Sequence, residues 1–308
     1  MCNEKQTSNL ESFNDVLDML QNFNNSELLI SKIPTGFESL DKALGGGLVP
    51  GVHTICAQPG AGKTTFALNI AVNVAKNGTP VLFFSYEMSK LDLGTKMYSL
   101  LSNKISQDNG GFTFDDIRSE RKLTASEIKL HEKTLAFAEA NLKDKIYFLD
   151  GLKHKYKIDQ IINEIEIFIR DKDQIPLVVI DYLQTVIPED DISLKASIEH
   201  AMSALHNIAD KYHFSVISIS AIAKQGSDTL NMFSGAESAR IAFGSVTHWG
   251  LTNITKDDDA SYKTVKLELF KNRYGQSNRP IKFSFDGAHS CFVEFKELSK
   301  PKNNKTKK

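Results

Sequence analysis

The sequence predicts an α/β fold: a mainly parallel central sheet, antiparallel strands at one edge, and helices on both faces. Short runs rich in β-branched residues recur at 52–57, 81–85, 146–149, 177–181 and 216–220. Longer stretches with helical periodicity lie between them, as at 66–76 and 198–211. Alternation of this kind indicates parallel strands joined by crossover helices. After Ser220 the rhythm changes. Residues 246–251, 264–270, 281–285 and 291–295 form short strand-like runs separated by turn residues, expected as antiparallel additions to the sheet edge.

Residues 1–9 are polar and expected to be disordered. Over 10–23 the apolar residues Leu10, Phe13, Val16, Leu17 and Leu20 recur at helical spacing, which predicts a short amphipathic helix. Asn24, Asn25 and Ser26 break it. The chain thus reads as a tail and amphipathic helix over 1–30, one α/β domain over 31–298, and a basic disordered tail over 299–308. Within the domain, 106–121 is polar and contains glycine, so a loop is expected there, with charged helices after it.

The 308 residues suffice for one large domain or two small ones, and 41% hydrophobic with 24% charged residues is ordinary for a soluble globular protein. Cys2, Cys56 and Cys291 are far apart and lack metal-ligand spacing, so they read as reduced thiols of a cytoplasmic protein. The eight histidines show no metal spacing either. No run approaches the ~18 apolar residues of a membrane helix, so no membrane partner is expected. A net charge of -1 argues against a uniformly basic surface but leaves a local basic groove open.

Gln58-Pro59-Gly60-Ala61-Gly62-Lys63-Thr64-Thr65 lies between the strand at 52–57 and a helix beginning near Lys63. A loop of this pattern converges backbone N–H groups on phosphates at a helix N-terminus. Its lysine reaches the terminal phosphates, and its hydroxyl completes a magnesium shell. Pro59, Gly60, Ala61, Gly62, Lys63, Thr64 and Thr65 are therefore the candidate ATP-binding residues, with Mg2+ at Thr64. Ala57 stands where the pattern has its first glycine, a substitution that fits unless φ is positive. Hydrolysis needs further groups. Leu177-Val178-Val179-Ile180-Asp181 is an apolar strand ending in an acid, which sets Asp181 at the carboxyl edge of the sheet as a magnesium ligand. The run 81–85 leads into Tyr86-Glu87 in the same way, making Glu87 the candidate to polarise water. Asp150 also follows a strand and reads as a strand-end residue.

Several segments together resemble the C-terminal, RecA-like ATPase domain of DnaB-type replicative helicases. Ile33-Pro34-Thr35-Gly36-Phe37-Glu38-Ser39-Leu40-Asp41 and Gly45-Gly46-Gly47-Leu48-Val49-Pro50-Gly51 look like that family's entry into the phosphate-loop strand. Phe83-Phe84-Ser85-Tyr86-Glu87-Met88-Ser89 resembles its catalytic-glutamate strand, and Val179-Ile180-Asp181-Tyr182-Leu183-Gln184 its Asp-Tyr-Leu-Gln strand end. Phe270-Lys271-Asn272-Arg273-Tyr274-Gly275 resembles the Lys-x-Arg-x-Gly segment, whose basic residues reach the neighbouring subunit's nucleotide. The resemblance covers roughly 31–297. It implies a RecA-like P-loop ATPase with a catalytic set of Glu87, Lys63, Arg273 and Lys271. It further implies ATP and Mg2+ as cofactors, a ring expected to be hexameric, and single-stranded DNA as partner.

Some positions depart from that pattern. Ala221 stands where the family carries the glutamine that senses the γ-phosphate, and Glu237-Ser238-Ala239-Arg240-Ile241 keeps only part of its Glu-Ser-Gly-x-Ile segment. About 30 residues precede the ATPase domain, so a primase-recruiting domain is not expected. The helix at 10–23 corresponds to the family's linker helix. The loops expected at DNA are 188–196, acidic through Glu189, Asp190 and Asp191 with one Lys195, and 224–235, which offers Lys224. The main expectation is an ATP-dependent DNA helicase of replication, in keeping with a mobile element. The alternative is a RecA-like loader or regulatory ATPase that unwinds nothing itself.

Overall fold

The computed structural model of the protein describes residues 13, 31–57, 59–107, 110–183, 194–221, 241–255, 262–275, 277 and 280–295. The chain divides into two units, 1–31 and 32–308. In the first, Phe13 is helical and exposed, and the rest of the helix expected at 10–23 lies outside the described residues. So do the tail at 299–308 and most of the 188–196 and 224–235 loops.

Among the described residues of the second unit, nine strands form one sheet. They are β1 (Gly51–Ala57), β2 (Val81–Ser85), β3 (Ile146–Asp150), β4 (Leu177–Asp181), β5 (Ser215–Ala221), β6 (Thr247–Asn253), β7 (Lys263–Asn272), β8 (Ile281–Asp286) and β9 (Cys291–Glu294). Their order is β3-β2-β4-β5-β1-β6-β7-β8-β9. All pairings from β3 to β6 are parallel, and β6–β7, β7–β8 and β8–β9 are antiparallel. The described helices are α1 (Glu38–Ala43), α2 (Lys63–Lys76), α3 (Lys90–Ser106), α4 (Phe114–Arg118), α5 (Ala125–Leu142), α6 (Gly151–His154), α7 (Ile158–Lys172) and α8 (Leu194–Tyr212).

Two sequence expectations need correction. The run at 246–251 is not an antiparallel edge strand: β6 lies parallel to β1, with His53 opposite Thr247. The connection from β5 to β6 is long enough to return across the sheet, as a parallel pairing requires. The first five residues of β6 are all buried, as befits a strand covered on both faces, whereas burial alternates along β7. The 106–121 segment also contains the short helix α4, nucleated by Thr113 and Asp116 as a reciprocal capping box.

Side-chain alternation along the strands builds two cores. Val81 and Phe83 of β2, Leu177 and Val179 of β4, and Ile217 and Ile219 of β5 face α2, α3 and the end of α5. Leu82, Phe84, Val178, Ile180 and Val216 point the other way, onto α7 and α8. The central parallel strands β1, β2 and β4 are thus buried on both faces, and their ends are held as a rigid edge.

The entry segment is locked onto α2. Asp41 accepts hydrogen bonds from the Thr35 amide (2.7 Å), the Thr35 hydroxyl (2.7 Å) and the Gly36 amide (3.2 Å). Gly36 has φ +80 and a Cβ there would lie 2.6 Å from the Asn73 side chain, so only glycine fits. Asn73 in turn donates to the Thr35 carbonyl. Beneath this turn, Phe66 of α2 stacks on Phe37 at 5.1 Å and meets Phe283 and Phe292 edge-on at 5.2 and 5.1 Å. Phe66 is fully buried and joins the entry segment, the helix and the antiparallel strands. Phe66→Ala is expected to lower unfolding free energy by about 3–5 kcal/mol. Denaturant unfolding followed at Trp249, the single tryptophan, reads this directly. A loss under about 1 kcal/mol would mean that the cluster collapses around the cavity instead of being held open by it.

Candidate nucleotide-binding site

The loop after β1 is built for close approach of a ligand to backbone. Pro59 and Gly60 form an exposed turn, and Gly60 and Gly62 have φ +79 and +86. Gly62 is the N-cap of α2, its carbonyl accepting from the Phe66 amide at 2.8 Å. Among the described residues no side chain caps this helix, and its first turn holds no acid. The N-terminal amides of a 14-residue helix are thereby left to an anion. Gly62 is backed by the stacked rings of Phe285 and Phe292, 4.3 Å apart, and a Cβ would come within 3.0 Å of Phe292. Ala57 has an ordinary strand conformation, which answers why alanine serves there. Ala61 and Thr65 are buried, while Lys63 and Thr64 are half-buried.

Lys63, Thr64, Glu87 and Asp181 converge at the carboxyl edge of the sheet. Lys63 Nζ donates to the Ala57 carbonyl at 3.1 Å. Burial pulls its pKa down, and the nearby charges of Glu87 and Asp181 partly restore it. Asp181 is fully buried, and among the described residues neither carboxylate oxygen makes a hydrogen bond of good geometry. Burial pushes its pKa up to about 6, opposed by the adjacent Thr64 hydroxyl and by Lys63, and reinforced by Glu87. A buried carboxylate with no well-formed hydrogen bond, beside a threonine hydroxyl, is an oxygen donor set suited to a hard divalent cation, so the residues fit Mg2+. Glu87 is exposed in the bend after β2. That bend is fixed because the Tyr86 amide donates to the Asp181 carbonyl (2.7 Å) and Ser85 Oγ to the Met88 carbonyl (2.8 Å). The cis Asp181–Tyr182 peptide and the Tyr86–Asp181 tie leave no mark in the sequence that propensity could read. Asp150 caps α6, one carboxylate oxygen accepting from the Lys153 amide at 3.2 Å.

Arg273 and Lys271 do not join this cluster. They lie at the end of β7, where Asn272 pairs with Thr247 and Lys271 with His248, at the start of β6. Since β6 runs parallel to β1, this is the amino edge of the sheet, opposite the phosphate loop. Seven residues of β1 span roughly 20 Å at ~3.3 Å each, beyond the reach of an arginine side chain. Arg273 is exposed. Lys271 Nζ donates to the carbonyls of Ala242 (3.0 Å) and Phe243 (2.8 Å), capping the helical turn at 241–244.

A buried polar ladder runs along β1 and β6 between the two edges. The carbonyl of Val49 accepts from His53 Nε2, so Nδ1 is left to accept from the Thr247 hydroxyl, which in turn accepts from Trp249 Nε1, each at 2.7 Å. Thr54 bonds Ser245 at 2.7 Å, and Cys56 Sγ lies 3.3 Å from His248 Nε2. Burial lowers the pKa of both His53 and His248 to about 4, and Lys271 adds to the shift at His248.

Fold and site together define a nucleotide-binding α/β domain with a separate basic corner on the opposite sheet edge. The chain belongs to the DnaB-like helicase C-terminal domain family, whose model matches residues 32–232. It is 29% identical over 230 residues to a probable replicative DNA helicase of Trieres chinensis, a match covering 72% of this chain and 46% of that one. It spans less than half the length of the curated relatives it matches. A DnaB-like replicative helicase whose solved structure was studied with primase shares its fold (TM-score 0.78, 19% identity, 94% of this chain and 68% of that one). A KaiC-like protein of Pyrococcus horikoshii is more distantly similar in fold (TM-score 0.57, 16% identity, 87% and 100%).

The pKa shifts set opposite pH signs. Asp181 keeps its proton to about pH 6 in the folded chain but only to about 4 when unfolded, so its ionisation weakens the fold as pH rises through that window. Asp181→Asn is expected to raise the stability of the ligand-free chain at pH 8 by roughly 1–3 kcal/mol, with the gain vanishing below about pH 4. His53 and His248 act conversely, since below about 6.5 the unfolded chain takes up protons that the folded chain refuses. Stability of the Asp181→Asn variant should therefore fall as pH drops from about 6.5 towards 4. Urea titrations across pH measure both slopes. Equal stability of the variant and the wild type at pH 8 would contradict the reading of Asp181.

Proposed function

We propose that this chain is the motor of a ring-forming, ATP-dependent DNA helicase acting in replication, with ATP hydrolysed at subunit boundaries. The observation that carries this reading is the split of the machinery between opposite sheet edges. Lys63, Thr64, Glu87 and Asp181 gather at one, and Arg273 stands exposed at the other. A chain built so supplies half of two sites and completes each with a second copy.

In this reading the amides of Pro59-Thr65, other than that of proline, wrap the phosphates, helped by the partial positive charge of the α2 N-terminus. Lys63 moves from the Ala57 carbonyl to the terminal phosphates. Thr64 and Asp181 would hold Mg2+, which when bound would screen the phosphate charge. Glu87 accepts a hydrogen bond from the attacking water and aligns it in line with the scissile bond. Arg273 of one copy reaches the γ-phosphate of the next and stabilises charge developing there, with Lys271 holding the turn beside it. Single-stranded DNA is the partner that the ring grips, a hexamer is the expected assembly, and the cytoplasm is the expected location. The boundaries at 31 and 298 and the linker role of 10–23 belong to the same proposal. A loader or regulatory ATPase would use the same site. Strand displacement by the assembled chain separates the two, and its absence alongside DNA-stimulated turnover would favour the loader.

Lys63→Ala and Arg273→Ala are each expected to lower ATP turnover by about 10³-fold or more. Arg273→Ala should still bind nucleotide. Mixed in equal amounts, the two variants should regain turnover, because some boundaries then combine an intact Lys63 with an intact Arg273. A mixture no more active than its parts, in assemblies verified as mixed, would sink the shared-site reading.

A further inference from the structure

The sheet order brings a basic and aromatic segment to the edge where nucleic acid is expected. Leu152-Lys153-His154-Lys155-Tyr156-Lys157 connects β3 to α7. Ser85 of β2 pairs in register with both Asp150 and Asp181. The segment therefore leaves the sheet two strands, about 10 Å at ~4.8 Å per strand, from the end of β4. The connections that follow β4 and β5 leave the same edge, since all these strands are parallel. Those connections are short of the expected chemistry: 188–196 carries Glu189, Asp190 and Asp191 against a single Lys195, and 224–235 holds Lys224 as its one basic residue.

The 152–157 segment supplies what they lack. Lys153, His154 and Lys155 are exposed, and Leu152 is half-exposed at 50%. Among the described residues, neither Lys153 nor Lys155 makes an ion pair. The segment is nevertheless held in place. The Tyr86 hydroxyl donates to the Tyr156 carbonyl at 2.8 Å, and the Lys155 amide to the Gly151 carbonyl at 3.0 Å. Tyr156 packs edge-on against Phe84, and the exposed His154 ring lies 5.7 Å from it at a tilt. Nearby acids are Asp150, turned to the Lys153 amide, Glu164, on the Tyr156 side, and Asp159, exposed in the first turn of α7. Tyr86 also donates its amide to Asp181, so one residue braces both this segment and the magnesium-facing strand end.

We propose that residues 152–157 hold single-stranded nucleic acid, Lys153 and Lys155 contacting its phosphates and the His154–Tyr156 pair offering a stacking face to a base. This rests on the reading that the chain grips single-stranded DNA. Ammonium groups on a short fixed segment recognise backbone charge and not sequence, and an aromatic face accepts any base.

Fluorescence anisotropy with labelled oligo-dT and oligo-dA, in Mg2+ and a non-hydrolysable ATP analogue, across a salt series, tests it. Lys153→Ala/Lys155→Ala should bind both oligonucleotides more weakly and alike. The slope of log affinity against log salt should become shallower by about 1.4, at ~0.7 per lost phosphate contact. Lys153→Arg/Lys155→Arg should restore the slope, and DNA-free ATP turnover should be unchanged in both variants. If the wild type binds and the alanine variant keeps its affinity and slope, the proposal falls while the helicase reading stands. If the wild type binds no oligonucleotide, both fall. Displacement of the oligonucleotide from the wild type but not from the variant by polyglutamate would reassign the segment to an acidic protein partner.

Discussion

A buried carboxylate that, among the described residues, makes no hydrogen bond of good geometry is the constraint on which the site depends. Asp181 ends an apolar strand flanked by β2 and β5, so the parallel sheet that makes the edge rigid also withdraws the acid from water. Ionising it there is costly, and Lys63 and Thr64 offset the cost only in part. An arrangement of this kind favours a divalent cation between the carboxylate and the phosphate loop. The neighbouring elements serve that geometry: α2 brings Thr64 and Lys63, and the bend after β2 brings Glu87. The aromatic cluster around Phe66 keeps α2 from shifting relative to the antiparallel strands.

The second constraint is directional. Placing β6 parallel to β1 sends its start, and with it the end of β7, to the edge opposite the loop. No side-chain rotation brings Arg273 back across a sheet about 20 Å deep. The polar ladder through His53, Thr247, Cys56 and His248 ties β1 to β6 along their shared length. The loop strand and the strand beneath Arg273 thus behave as one body. A copy that shifts its loop carries its arginine with it.

Much of this was legible in the residues themselves. The phosphate loop and the acid ending β4 are local patterns whose chemistry demands their neighbours, and the strand-and-helix alternation carries the class of fold. What depends on distant pairing was not legible. The direction of β6 follows from how its connection returns across the sheet, not from the composition of 246–251. Lys271 reads, with Arg273, as a basic residue that reaches a neighbouring subunit's nucleotide, and nothing in the sequence shows that it caps carbonyls of a turn 28 and 29 residues earlier. The Asp41 bonds to Thr35 and Gly36 explain why those residue types stand at that spacing, which no periodicity reveals. The basic 152–157 segment is visible as letters, but its closeness to Asp181 appears only once β3, β2 and β4 lie side by side.

The account stands on the state of one carboxyl group, and that group can be observed. Carbon-13 NMR of labelled aspartate, with Asp181→Asn to assign the signal, would follow its titration in the ligand-free chain and in the chain loaded with Mg2+ and a non-hydrolysable ATP analogue. The predicted result is a midpoint at about 6 in the free chain. On loading it should move below the ordinary carboxylate value of about 4. A midpoint near 4 in the free chain, unmoved by loading, would contradict the claim that Asp181 is held in wait for the cation.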